Sequence, residues 1–172
     1  MRREVGEVRL FTLSNASEIA EYLRASLPKP FLIACVGTEL RGDDRAGLEL
    51  CRELERAGLS QWVVECPYGL ENCLHVIEEK GVRSLLVVDA AVLPEGADFA
   101  IASPEDIESF VPVSTHQIPL PLVAKLLREH LGVERIVVLG IAVENLEFSL
   151  DLSPSTRARV EALARALTPL LE

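Results

Sequence analysis

Two aspartates and one histidine stand where strand-like segments give way to loops. They are Asp44 in Gly37-Thr38-Glu39-Leu40-Arg41-Gly42-Asp43-Asp44, Asp89 in Leu85-Leu86-Val87-Val88-Asp89-Ala90, and His116 in Ser114-Thr115-His116. Two carboxylates and an imidazole form an oxygen and nitrogen donor set that suits borderline divalent metals such as nickel or zinc. Three protein ligands also leave coordination positions that another molecule can fill. Residues so far apart in sequence meet only if the fold delivers them to one place. An open parallel α/β sheet does this, because ligands gather at the carboxyl ends of its strands.

Each of the three has a plainer role beside it. Asp43 is placed to cap the helix that begins there, accepting free amide protons of the first turn, and a second carboxylate is not needed for that task. Asp44 is therefore the better ligand candidate. Asp89 also reads as a turn aspartate, and His116, in a loop ahead of Pro119 and Pro121, as an exposed bystander. His130 fits a helix C-terminus, where a cation is favoured, and His75 lies off an apolar face. Other chemistries find little support. Gly37 and Gly42 lack the lysine of a phosphate loop and the third glycine of a dinucleotide fingerprint, and Ser114 has no nucleophile-elbow context.

The elements that must position these residues are legible. Apolar, valine- and isoleucine-rich runs at 31–36, 62–66, 84–90 and 135–143 are short and bounded by turn signals, as strands buried on both faces should be. Helical periodicity fills 44–57, 70–80 and 120–131, and Gly58, Gly81 and Gly132 follow as candidate C-terminal caps. The alternation predicts right-handed βαβ units, hence an α/β fold: a three-layer α/β/α sandwich with a mostly parallel, doubly wound sheet. Further strands are expected near 98–102 and 146–150 as antiparallel edges. Ser153 and Pro154 open a last helix with the stripe Val160, Leu163, Ala164, Leu167, Leu171. Upstream, 8–13 reads as extended, and Asn15 with Glu18 as a capping box for a helix carrying Ile19, Tyr22, Leu23 and Leu27.

The chain has 172 residues, 49% of them hydrophobic, enough for one domain: a core over 31–172 and an N-terminal extension over 1–30. A net charge of -10, from 17 basic and 27 acidic residues, argues against nucleic acid and anionic lipid as partners. No signal peptide or membrane span is expected, which points to the cytoplasm, and there the four cysteines are expected as reduced thiols.

With those motifs in place, the sequence resembles the hydrogenase maturation endopeptidases, most closely the type that processes the large subunit of hydrogenase 3. The likeness spans about Phe31 to Leu171. It rests on the turn Gly37 to Asp44, on Glu71-Asn72, on the strand ending in Asp89-Ala90, on Ser114-Thr115-His116-Gln117-Ile118-Pro119-Leu120, on Leu139-Gly140-Ile141 and on Leu152-Ser153-Pro154. The resemblance implies a protease that removes a C-terminal extension from the precursor of a nickel-iron hydrogenase large subunit after nickel has been inserted. It also implies that Asp44, Asp89 and His116 are the catalytic and metal-contacting positions, and that the nickel arrives on the precursor. Two departures stand out: Thr38, where relatives commonly carry asparagine, and Glu65-Cys66-Pro67, where they carry an Asp-Gly-Gly turn.

The mechanism admits two forms at this level. The metal polarises the scissile carbonyl, or it only positions the substrate while a carboxylate activates water, with Asp43 and Glu39 as candidate bases. Two other functions compete with proteolysis: a non-catalytic metal-binding or chaperone protein of the same fold, and a flavodoxin-like small-molecule binder.

Overall fold

A computed structural model describes residues 8–109, 111–112 and 118–172. In chain order the elements are β1 (Arg9–Phe11), α1 (Ala16–Ser26), β2 (Phe31–Gly37), α2 (Ala46–Arg56), β3 (Val63–Pro67), α3 (Leu74–Lys80), β4 (Ser84–Val92), β5 (Phe99–Ala102), β6 (Val111–Pro112), α4 (Leu120–His130), β7 (Arg135–Ala142) and α5 (Pro154–Leu171). The sheet runs β1-β5-β7-β4-β2-β3, with β6 paired to β4 off this path. β7, β4, β2 and β3 are mutually parallel; β5 runs antiparallel beside β7, and β1 pairs antiparallel to β5 at the edge.

The apolar runs form strands because both faces of the sheet are covered. Along β2, Ile33 and Cys35 join one core cluster with α1, α2 and α5, while Leu32, Ala34 and Val36 join the other with α3 and α4. The alternation is the period of two that a strand imposes. A fully buried leucine such as Leu50 or Leu54 contributes about 1.5–3 kcal/mol through removal of its surface from water. Gly58, Gly81 and Gly132 follow their helices with positive φ, as expected of caps.

The N-terminal segment is part of this packing. β1 pairs with β5, and Ile19, Leu23 and Leu27 are buried in the α5-side cluster. The capping arrangement differs from expectation by one turn: the Asn15 side chain accepts the Thr12 N–H at 2.6 Å, because a short 3₁₀ turn over Leu13–Asn15 precedes the helix. Residues 70–73 likewise form a 3₁₀ turn ahead of α3.

Two expectations are corrected. The 146–150 stretch is no edge strand; only an isolated parallel bridge joins Arg41 to Ser149, since β1 and β5 already occupy that side of the sheet. The cysteines are not free thiols: Cys35 pairs with Cys51, and Cys66 with Cys73. The first pairing follows from α2 lying on β2, and the second from the 70–73 turn folding back on the end of β3. No helix among the described residues is long and apolar enough to cross a membrane.

Candidate functional site

The site begins where β2 stops. Past Gly37 the chain makes a closed loop: the Thr38 N–H donates to the Asp44 carbonyl at 3.2 Å and the Asp44 N–H to Arg41 at 3.1 Å. Gly42 enters the following turn with φ +53, and a Cβ there would lie 2.8 Å from the Asn145 carbonyl. Glycine is the residue that meets both demands. The loop is then stitched to the segment after β7. Gly42 N–H donates to Ser149 at 3.0 Å, Asp43 N–H to Asn145 at 2.8 Å, and Ser149 N–H to Leu40 at 3.1 Å.

Asp43 completes the stitching instead of capping its own helix. Its buried carboxylate accepts the amides of Glu144, Asn145 and Ser153 at 2.9, 2.9 and 2.7 Å, and the hydroxyls of Ser153 and Thr156 at 2.7 Å each. Burial alone pushes this carboxyl up, but the hydrogen bonds outweigh it and hold the group below the usual carboxylate range. A carboxylate so committed is poorly suited to serve as a base. Glu39 is committed too, for its hydrogen bond with Arg52 lowers its pKa in the same sense.

Arg52 also reaches Glu65 at 2.9 Å and Glu49 at 3.1 Å, while Arg45 holds Glu49 at 2.7 Å and donates to the Leu150 carbonyl. Burial raises the Glu49 carboxyl, and the two arginines more than offset that. The network fastens the 38–41 loop, α2, β3 and the 143–153 segment to one another.

Asp44 is fully buried, and its Oδ2 accepts the Thr38 hydroxyl at 2.8 Å. Thr38 thus holds one carboxylate oxygen of Asp44 in place. Asp89 is 3% exposed and lies opposite Gly140 in the β4–β7 ladder. A close approach seats the helix that follows Asp44 against the strand that carries Asp89. Gly47, three residues past Asp44, packs so tightly that a Cβ would sit 2.2 Å from the Val36 carbonyl and 2.9 Å from that of Val88, the residue before Asp89. The 42–45 turn itself lies against β4. Both carboxylates are buried at the carboxyl end of the parallel sheet, the end where ligands of open α/β folds gather.

His116 lies outside the described residues, in the stretch between β6 and Ile118. β6 runs antiparallel to β4 with Pro112 opposite Ala91, two residues past Asp89. β7 occupies the other edge of β4 as far as Ala91, so β6 pairs on the flank that β2 leaves after Cys35. Ile118 packs against the α4-side cluster. Among the described residues, no three metal-binding side chains come together; His75 lies in the first turn of α3 and His130 ends α4.

Sequence reading missed the donors to Asp43. The signal present was the cluster Ser153, Ser155 and Thr156 at the start of the last helix, where Thr156 is fully buried. β6, two residues long, had no periodicity to find.

The comparisons with known proteins agree with this architecture. A family model described as Hydrogenase maturation protease (HycI) matches residues 49–169. The hydrogenase 3 maturation protease of Escherichia coli (strain K12) is 29% identical over 138 residues, covering 79% of this chain and 87% of its own length. Among solved structures, the endopeptidase HycI from Escherichia coli superposes with a TM-score of 0.68 at 29% identity, over 81% of this chain and 89% of that one. A maturation protease from Thermococcus kodakarensis KOD1 shares the fold with a TM-score of 0.72 at 24% identity, over 90% and 98% of the two chains.

Proposed function

Because this chain belongs to the hydrogenase maturation protease family and is a peptidase that processes a hydrogenase large subunit, we propose that it removes the C-terminal extension of the nickel-iron precursor. It does so after nickel insertion, with nickel on the precursor as its recognition element. The observation that carries this reading is the placement of Asp44 and Asp89, both buried, where α2 presses against the ends of β2 and β4. Two carboxylates are hard donors that fit a divalent ion already partly ligated by its carrier. They form an incomplete set, as expected if the precursor supplies the rest.

Within this proposal Asp44 and Asp89 hold the ion from two strand ends, and His116 is the third donor and catalytic residue. Support for His116 is positional. It follows Pro112 by four residues, a covalent reach of at most about 14 Å from a strand paired beside Asp89. The ion, when present, supplies polarisation of the scissile carbonyl. Thr38 fixes the rotamer of Asp44, and Asp43 locks the loop that carries it, so the carboxylates are arranged before the precursor arrives. Such preorganisation matters because misplacement by about 1 Å can cost two orders of magnitude in rate.

The test uses purified precursor in nickel-loaded and nickel-free forms, with cleavage followed by intact mass. Shortening of the loaded form alone is expected. Equal cleavage of both would remove nickel as the recognition element, and cleavage of neither would remove the peptidase assignment to this substrate.

A further inference from the structure

Eight large apolar side chains are strongly exposed among the described residues, and their distribution is uneven. Leu10 and Leu13 lie at the edge strand β1, three strands away from β4, whereas Leu40, Tyr68, Phe148, Leu150, Val92 and Leu122 lie at or just past the carboxyl ends of β2, β3, β7 and β4 or open α4. Scattered apolar exposure needs no explanation, but a contiguous patch marks an interaction surface. Contiguity follows from the backbone. The Tyr68 N–H donates to Gly37 at 3.0 Å, and Ser149 N–H to Leu40 at 3.1 Å, so Tyr68, Leu40, Phe148 and Leu150 rise from two hydrogen-bonded seams around one loop.

This patch is held rigid. Tyr68, 60% exposed, takes φ +68 in a loop that the Cys66–Cys73 disulfide closes; Phe148, 79% exposed, adjoins the bridge residue Ser149, and Arg45 grips the Leu150 carbonyl. A fixed aromatic side chain binds at low entropic cost, which is why Tyr and Phe dominate the centres of interfaces. Charge on the patch identifies its partner. Glu144, Glu147 and Asp151 interleave with Phe148 and Leu150; Glu144 pairs with Arg159, whereas Glu147 and Asp151 make no ion pair among the described residues, and Arg41 and Arg157 are exposed cations on the flanking stretches.

We infer that this rim, Leu40, Tyr68, Phe148 and Leu150 with Glu147 and Asp151, is the docking surface for an extended apolar and basic segment of the hydrogenase precursor. The inference rests on the peptidase reading and adds the chemistry of the segment recognised. Because the rim surrounds the Asp44–Asp89 end, a segment seated on it enters the site without a further conformational step.

The experiment measures binding of nickel-loaded precursor by titration and cleavage by intact mass, for the wild type, Phe148→Ser/Leu150→Ser, Tyr68→Ala, Glu147→Lys/Asp151→Lys and the distant control Leu10→Ser. The first three variants are expected to weaken binding and raise KM about tenfold while kcat stays within about twofold. Wild-type binding is expected to weaken with added salt, and that salt dependence to vanish in the lysine variant. Leu10→Ser is expected to match the wild type, and circular dichroism melts check that the variants remain folded, as expected since every changed side chain is exposed. Rim-dependent binding without cleavage overturns the peptidase reading and leaves the docking surface standing. Cleavage with KM unchanged in all rim variants overturns the docking surface and leaves the peptidase standing. Absence of both binding and cleavage in the wild type overturns both.

Discussion

Replacing Gly47 by alanine tests how the turn that carries Asp44 is seated against the strand that carries Asp89. The new Cβ would lie 2.2 Å from the Val36 carbonyl and 2.9 Å from the Val88 carbonyl, whereas ordinary contact begins at 3.4 Å. Both obstacles are backbone atoms of central strands, so α2 must retreat. The difference between 3.4 and 2.2 Å sets a displacement of about 1.2 Å. Alanine returns about 1 kcal/mol of helix propensity, and overpacking costs about 1–3 kcal/mol, so the net loss of stability is between about 0 and 2 kcal/mol. For a chain of this size the melting temperature falls by no more than about 8 °C. Activity is far more sensitive. Asp44 sits one turn before Gly47, and moving it about 1 Å from Asp89 is expected to lower kcat/KM for the precursor about 100-fold. The assay pairs thermal melts with initial rates of precursor shortening. Wild-type rates in a folded Gly47→Ala protein would refute the idea that α2 seated on β2 and β4 sets the site geometry.

Other outcomes follow from the same contacts. Asp43→Asn removes a charge that five donors address and is expected to cost about 2–4 kcal/mol at neutral pH. The folded Asp43 pKa is depressed, so its contribution is fully present above about pH 4 and is lost as pH falls through the folded value. Melts from pH 7 to pH 2 should therefore converge for wild type and variant at the acid end, and parallel curves would be the contrary result. Thr38→Val keeps the shape but removes the hydroxyl donated to Asp44; kcat/KM is expected to fall about tenfold, with activity retained in Thr38→Ser. Equal rates in the valine variant would show that this hydrogen bond does not orient the carboxylate. The disulfides span 16 and 7 residues in sequence. By loop-closure entropy they contribute about 3 and 2 kcal/mol. Cys35→Ala/Cys51→Ala should melt well below the unreduced wild type, and identical melts with four titratable thiols would contradict the pairing.

Much of the architecture was legible because burial on both faces writes itself into composition. Leu32 to Val36 and Leu85 to Ala91 lack any polar alternation until Asp89, a buried carboxylate that the proposal places on the ion. The glycines behind α2, α3 and α4 set the helix ends as expected. Long-range pairing was not legible. Asp43 is separated by 101 to 113 residues from its donors, and a local reading assigned it to the nearest helix start. The cysteine pairing was hidden for the same reason: Cys35 and Cys51 meet only when α2 lies on β2, and no short motif announces it. Leu146 to Leu150 alternates like a strand, yet the sheet edge it would occupy is filled by β5 and β1.

The claim on which the rest depends is that Asp44, Asp89 and His116 share one nickel ion delivered by the precursor. The most direct measurement is nickel X-ray absorption on the loaded precursor, alone and in complex with the protein. Binding is expected to add nitrogen and oxygen scatterers to the nickel shell, with the nitrogen contribution lost in His116→Ala and an oxygen contribution lost in Asp89→Asn. A nickel spectrum unchanged by the protein, or altered equally by the wild type and both variants, would contradict it.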